Sequence, residues 1–258
     1  MKTNNKIGWA VFSEMFFRSF FIQAVWNYQS MISIGFCFAL APVAKKLFKD
    51  KKSRSEFINR HLHFFNAHPY FSSFALGAIA RVEEDLVLAG TNDYSQVVRL
   101  KNALIGPLGA IGDQLVWATL KPASILIGLL AVILIDSFET KLFFLMILLA
   151  LYNIPHIYIR VIGLIKGYQA GFQIYKMLNI ERFNSVRYAY GSLGAIALGM
   201  IFSYSFFQSG SDDISYAGVF IVCFLIAYYY KKLKQSVYRS LTLPVIIAVL
   251  LGLLIESL

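Results

Sequence analysis

Charge is what this 258-residue chain has little of: only 15% of its residues are Asp, Glu, Lys or Arg, where a soluble globular domain carries about a quarter. Long polar stretches are missing as well, so nothing is set aside as a separate soluble domain, and residues 1–258 read as one membrane domain. Cysteine is nearly absent. Cys37 and Cys223 each lie inside an apolar run without metal-ligand spacing, and both read as buried thiols rather than a disulfide. Gly106, Gly109 and Gly112 stand three apart, yet no Lys-Ser or Lys-Thr pair follows them. Neither a preceding strand nor a later ribose-binding acid can be placed, which excludes phosphate-loop and dinucleotide chemistry. No apolar core with a small-residue cleavage site opens the chain, so no signal peptide is expected to be removed.

What is abundant is apolar surface. Hydrophobic residues make up 58% and aromatics 16% of the chain, and the mean hydropathy is +0.61. These values predict an all-α polytopic membrane protein with interfacial amphipathic helices, broken or re-entrant helices and several transmembrane helices. The net charge of +10 would suggest nucleic acid in a soluble protein. Here the bases flank apolar runs, so anionic lipid is the expected partner and nucleic acid is not.

The stretch Lys101 to Pro122 organises the rest. It is apolar enough for a bilayer, yet Gly106, Pro107, Gly109 and Gly112 each weaken a helix, and Asp113 and Gln114 place a charge and an amide beside them. A backbone break at these four residues is expected, lining a cavity that a polar substrate visits. Close helix packing over glycine faces is the competing reading.

The polar stretch before Trp9 leads into an amphipathic helix, Trp9 to Ile22, in which Ser13, Glu14 and Arg18 recur at helical intervals. From Phe17 to Phe48 the chain is apolar again. Gln23, Asn27 and Ser30 fall three or four apart, so a helix places them on one face beside Trp26. That stripe faces either a substrate path or a neighbouring helix. Lys45, Lys46, Lys49, Lys51, Lys52 and Arg54 then form a basic block, cytoplasmic by the positive-inside rule.

The first part of the chain, residues 1–58, is thus an amphipathic region with the first helices. Residues 59–122 come next as a broken-helix substrate region. There His61, His63 and His68 precede Glu83 and Glu84, but the spacing lacks the two-histidine helical pattern of a zinc site, so no metal is expected. Pro69 forces His68 toward an extended conformation and interrupts a helix near Asn66. One of the two glutamates is a candidate acceptor for a substrate hydroxyl.

Residues 123–258 read as transmembrane helices. Leu142 to Ile165 is long enough to cross and carries Asn153, His156 and Arg160 on one face, with a kink expected at Pro155. Gly163, Gly167 and Gly171, and likewise Gly191, Ala195 and Gly199, form small-residue faces for close helix approach. Further spans are expected at Tyr188 to Phe207, Ile214 to Tyr230 and Leu241 to Ile255. Arg182, Arg187 and the Lys231 to Arg239 bases mark cytoplasmic loops, and Asp136, Glu139, Asp212 and Asp213 the outer side. That puts the N-terminus inside and the C-terminus outside.

Taken together, RSxxxQxxWN (Arg18 to Asn27), GFCF with Pro42, RHLxFFN with Pro69, LG before Glu83 and Glu84, GPLxxIGD to Trp117, KP at Lys121, and Gly163 to Gly171 with Tyr168 resemble the IID subunit of the mannose-type sugar phosphotransferase system. The last third agrees only in kind, and Gln114 stands where the family usually has proline. The resemblance implies a bacterial plasma-membrane protein. It implies an obligate IIC membrane partner, with which the chain carries a hexose or amino sugar, and separate IIA and IIB phosphocarriers that hold the phosphorylated histidines. The chain itself then has no catalytic residue, phosphorylated residue or cofactor.

On that reading Gln23, Asn27, Asn66, Glu83, Glu84, Asp113 and Gln114 hydrogen-bond sugar hydroxyls or hold the irregular backbone, and Trp26 and Trp117 stack on a sugar face. Two alternatives carry different expectations. A metal-dependent membrane enzyme would use the histidine and glutamate cluster. A purely structural partner would leave every sugar contact to the IIC chain.

Overall fold

The computed structural model describes residues 6–208 together with the isolated positions Ile221, Leu225 and Ile246. The spans expected at Ile214 to Tyr230 and Leu241 to Ile255, the charged loops beside them and Cys223 lie outside the described residues. Two units divide the chain, Met1–Ala195 and Ile196–Leu258, and the hydrophobic core lies in the first.

Helices α1 (Trp9–Ser19), α2 (Ser33–Leu47), α3 (Lys51–Leu62) and α4 (Ser72–Ala89) come first. They precede α5 (Ser95–Gly112), a π-helical segment (Asp113–Leu120), α6 (Lys121–Leu134), α7 (Phe138–Ala170), two short 3-10 turns and α8 (Asn184–Gln208). Among the described residues there are no strands, only isolated backbone bridges joining Met31 to Asn27 and to Phe65. Among the described residues two stretches, Ser95–Leu134 and Phe138–Met177, are long and apolar enough to cross a membrane. Each has 40 residues, about 60 Å at 1.5 Å per residue, and so exceeds a bilayer of about 40–45 Å with its headgroups.

Two expectations are corrected by the fold. Gln23, Asn27 and Ser30 do not share a helical face, because α1 ends at Ser19 and α2 begins only at Ser33. The intervening chain is built from turns. The Asn27 carboxamide oxygen accepts from the backbone N–H of Ser30 at 2.9 Å and of Gln29 at 3.1 Å, which offers the backbone an alternative to helix. Met31 adopts φ +56°, a left-handed conformation costing about 1–2 kcal/mol in a residue with a side chain. Reciprocal bonds with Asn27 (2.9 and 3.3 Å) and the Ile32 N–H to Phe65 carbonyl bond (3.1 Å) hold it there.

Nor does the backbone break at Gly106, Pro107, Gly109 and Gly112. Helix α5 runs through all four, and the departure from α geometry begins one residue later, in Asp113–Leu120. Gly106 and Gly109 face open space, so their helix-weakening tendency is opposed only by continuity with the apolar turns around them. Gly112 has a packing reason: a Cβ there would collide with the His68 ring. In the π segment Thr119 Oγ1 donates to the Gln114 carbonyl at 2.8 Å, an i to i−5 pairing that matches the wider turn.

Two of the prolines inside helices, Pro155 and Pro42, are accommodated in the same currency. A proline has no N–H for the carbonyl four residues earlier. Pro155 so frees the Leu151 carbonyl, and Tyr190 Oη donates to it at 2.8 Å. Pro42 frees the Phe38 carbonyl, and Arg18 Nη1 donates to it at 3.3 Å.

The core lies where α4 crosses α7. Phe74, Ala75, Ala78, Ile79 and Val82 from α4 meet Ile159 and Leu164 from α7, all buried. The approach is so close that a Cβ on Gly77 would strike the Leu164 carbonyl, and one on Gly167 the Phe74 carbonyl. Of the small-residue faces expected for close helix packing, Gly163 and Gly167 meet α4, whereas Gly191 and Gly199 have nothing within 4 Å and form no such face among the described residues. The exposed faces of α6 and α7 instead carry Ile125, Leu129, Val132, Leu142, Phe143 and Met146.

Candidate functional site

Three irregular pieces of chain are linked in series, the first to the second and the second to the third. The first is the α1–α2 loop with Gln23, Trp26 and Asn27. The second is the segment from His63 to Phe71, whose Phe65 N–H donates to the Ser30 carbonyl at 3.4 Å. The π segment is the third: His68 packs on Gly112, and its ring lies 5.0 Å from that of Trp117.

Within this group Gln23, Asn66, Asp113 and Gln114 are exposed, and Trp26 and Trp117 are 45% and 50% exposed. Asp113 and Trp117 are four residues apart on the π segment, close to one turn, which puts the carboxylate and the half-exposed indole toward the same side of it. Carboxylate and carboxamide groups accept and exchange hydrogen bonds with hydroxyls, while an aromatic face packs on C–H surface. Gln114 is tied down on one side, its Oε1 accepting from Arg187 Nη1 at 3.1 Å. Asn27 is half-buried and spent on its own loop, where its Nδ2 also lies 3.0 Å from Ser30 Oγ.

The two glutamates belong elsewhere. Glu83 and Glu84 follow Ser72 by about 11 residues along α4, roughly 17 Å of rise, and both are buried. Glu83 takes a bidentate pair from Arg60, Nε to Oε1 and Nη2 to Oε2 at 2.6 Å each, and His61 Nε2 lies 2.9 Å from Oε1. Burial alone would raise this carboxyl, but the bonds from Arg60 and His61 more than offset it and hold it below the ordinary range. Burial keeps His61 neutral, pushing its ring below the usual histidine value against the opposing pull of Glu83. Glu84 accepts from the Ile7 N–H at 2.8 Å and from the Tyr168 hydroxyl. Both carboxylates are saturated by protein donors, so the structure does not bring them to the exposed group.

Sequence reasoning missed the framework behind that group. Tyr70 Oη meets Tyr152 Oη at 2.7 Å, its ring stacks on His156 at 4.7 Å, and the Arg160 guanidinium lies 4.9 Å above it. His68 accepts the Tyr70 N–H at Nδ1 (3.3 Å) and leaves Nε2 buried without a partner. Burial, helped by the charge of Arg160, pushes that imidazole down to about 4, so it is neutral at physiological pH. The one available signal was Asn153, His156 and Arg160 sharing a helical face. Their counterpart, Tyr70, could not be read from spacing.

Among the described residues no three His, Cys, Asp or Glu side chains group as a metal site. Cys37 is a buried free thiol.

The model of the mannose/fructose/sorbose family IID component of the phosphotransferase system matches residues 6–255 of the chain. The mannose-specific EIID component of Escherichia coli K12 is 28% identical over 200 residues, covering 77% of this chain and 69% of that relative. The fructose permease IID component of Bacillus subtilis is 28% identical over 189 residues, 73% of this chain and 67% of its own. Among solved structures, a membrane protein aligns with TM-score 0.65 at 27% identity over 75% of this chain and 70% of that one. The cryo-EM structure of the mannose transporter ManYZ with microcin E492 aligns with TM-score 0.57 at 28% identity, over 75% and 69%.

Proposed function

The chain belongs to the mannose/fructose/sorbose family of phosphotransferase-system IID components, and we propose that it forms, with a IIC chain, the membrane path by which a hexose or amino sugar reaches IIB for phosphorylation. Phosphoryl groups arrive through IIA and IIB, so the role of this chain is binding and passage without catalysis. The pairing is supported by its likeness to a chain of a structure described as the transporter ManYZ. Anionic lipid meets the basic block at Lys45 to Arg54, on the cytoplasmic side with the N-terminus.

The observation that carries the sugar reading is the exposed trio Asp113, Gln114 and Trp117 on a π-helical turn, packed against the His63 to Phe71 segment. Departures from α geometry of this kind concentrate at functional sites. Asp113 offers a charged acceptor for hydroxyls, Trp117 an apolar face, and Asn66 and Gln23 neutral amides on the adjoining loops. Asn27 and Trp26 shape the first loop.

Sugar uptake by cells carrying all the subunits tests this. A charged hydrogen bond is worth about 1.5–3 kcal/mol, so Asp113→Asn raises the KM for uptake about 10- to 100-fold, with copurification of the IIC chain unchanged. Trp117→Ala acts in the same direction. If both variants take up sugar with unaltered KM, Asp113 and Trp117 are removed from the sugar site and the reading of this subunit as a structural partner of the IIC chain gains ground.

A further inference from the structure

Arg160 lies on α7, within the stretch Phe138–Met177 that is apolar enough to cross the membrane, and is 3% exposed. A cation buried among apolar helices is costly, and where it persists it has a task. The other buried charges have evident ones. Glu83 pairs with Arg60, and Lys101 donates to the carbonyls of His61 and His63 at 2.7 Å each, closing the end of α3. Arg160 has no carboxylate partner among the described residues. Its Nη1 instead donates to the Ser19 carbonyl at 2.6 Å and approaches Ser19 Oγ at 3.0 Å, while its Nε is left without a partner.

Ser19 is the last residue of α1. Its carbonyl is one of the four without an intrahelical partner at the helix C-terminus; it accepts the Ile22 N–H at 3.3 Å and keeps a lone pair for Arg160, at an end where the helix dipole also favours a cation. The same guanidinium sits 4.8 Å over the Phe20 ring and 4.9 Å over the Tyr70 ring. Phe20 opens the first loop and Tyr70 closes the second. One side chain on α7 therefore grips the root of each loop of the candidate site, 141 positions away in sequence from Ser19.

We infer that Arg160 is a positioning residue: it latches the Gln23 to Ser30 loop and the Asn66 to Tyr70 segment to α7, so that both hold one fixed register to that helix. Lysine does not replace it, because an ammonium supplies a bond to the Ser19 carbonyl but no plane to lie over both rings. The consequence for transport rests on the sugar reading given above, whereas the latch itself does not.

The test uses the complex with its IIC partner in membranes, with Cys37→Ala and Cys223→Ala as background and a single reporter, Gln23→Cys or Asn66→Cys. Maleimide labelling rates report loop position whether or not sugar binds there. Arg160→Met is expected to raise the labelling rate of both reporters at least fivefold, and Arg160→Lys to raise it less. Arg160→Met without a reporter raises the uptake KM about tenfold, with the maximal rate within about twofold. Labelling rates that stay within twofold in Arg160→Met overturn the latch. If that variant does not assemble, Arg160→Lys and Phe20→Ala carry the same readout, and unchanged labelling in both overturns it equally. Faster labelling with unaltered KM sustains the latch and removes these loops from the sugar site.

Discussion

Replacing Glu83 separates a framework carboxylate from a sugar ligand, the role the sequence suggested for it. Its side chain is 0% exposed and that of Arg60 12% exposed, joined by two bonds of 2.6 Å. Breaking a buried pair from one side strands the other charge, at a cost of about 3–5 kcal/mol. Glu83→Gln keeps the shape but loses the charge, and Arg60→Met strands the carboxylate. At roughly 2–4 °C per kcal/mol for a chain of this size, each single variant melts about 6–20 °C lower in detergent. The double replacement Arg60→Met with Glu83→Leu is less destabilised than the sum of its singles, because neither charge remains.

The pH dependence has a definite sign. The native carboxyl lies below its ordinary value, so the stability it contributes is fully present above about pH 4.3, the unfolded value. It is lost as the pH falls through the lower native value. The wild-type melting temperature therefore drops in that acid window by a component that Glu83→Gln lacks. A Glu83→Gln protein that melts within about 1–2 °C of wild type, well short of the shift expected for a broken buried pair, while its uptake KM rises would refute this reasoning and restore Glu83 to the sugar site.

Two further outcomes are expected of the same structure. Lys101→Met leaves the carbonyls of His61 and His63 without their donor, at about 1–3 kcal/mol for each buried group; faster amide exchange through the end of α3 and a lower melting temperature are expected. Tyr190→Phe removes the donor that replaces the N–H missing at Pro155 and costs about 1 kcal/mol. In a Pro155→Ala background, where the backbone N–H of residue 155 returns, the same Tyr190→Phe change is close to neutral by thermal melting.

Composition and hydropathy made the helical class legible, and the spacing of Gly163 and Gly167 made a close packing face legible. What faced it, Gly77 on α4, was not, because helix partners are chosen by non-local fit. The same limit hid Arg60 as the partner of Glu83, 23 residues away. At the first loop the ambiguity was local. Asn27 and Ser30 are three apart, a spacing shared by neighbours on a helix face and by a side chain capping the backbone ahead of it. Asparagine and serine favour the second use. Three phenylalanines in the six residues before Gln23, mediocre helix formers, leaned the same way.

The glycines and Pro107 misled for a related reason. Propensity measures what a residue costs a helix, and a helix fixed at both ends by apolar packing can absorb that cost. Leu104, Leu108 and Ile111 are buried on the core side of α5, so the turns containing Gly106, Pro107 and Gly109 are held from within. The irregularity moved to Asp113–Leu120, where the chain pattern carries no marker, since an i to i−5 turn uses the same apolar residues as an i to i−4 turn. The sequence placed a helix irregularity beside Asp113, a carboxylate without a neighbouring base in an apolar run, and the π segment begins at that residue. The change of helical pitch that begins at that residue goes with the close seating of His68 on Gly112 and the Thr119 bond to the Gln114 carbonyl, and only the fold displays it.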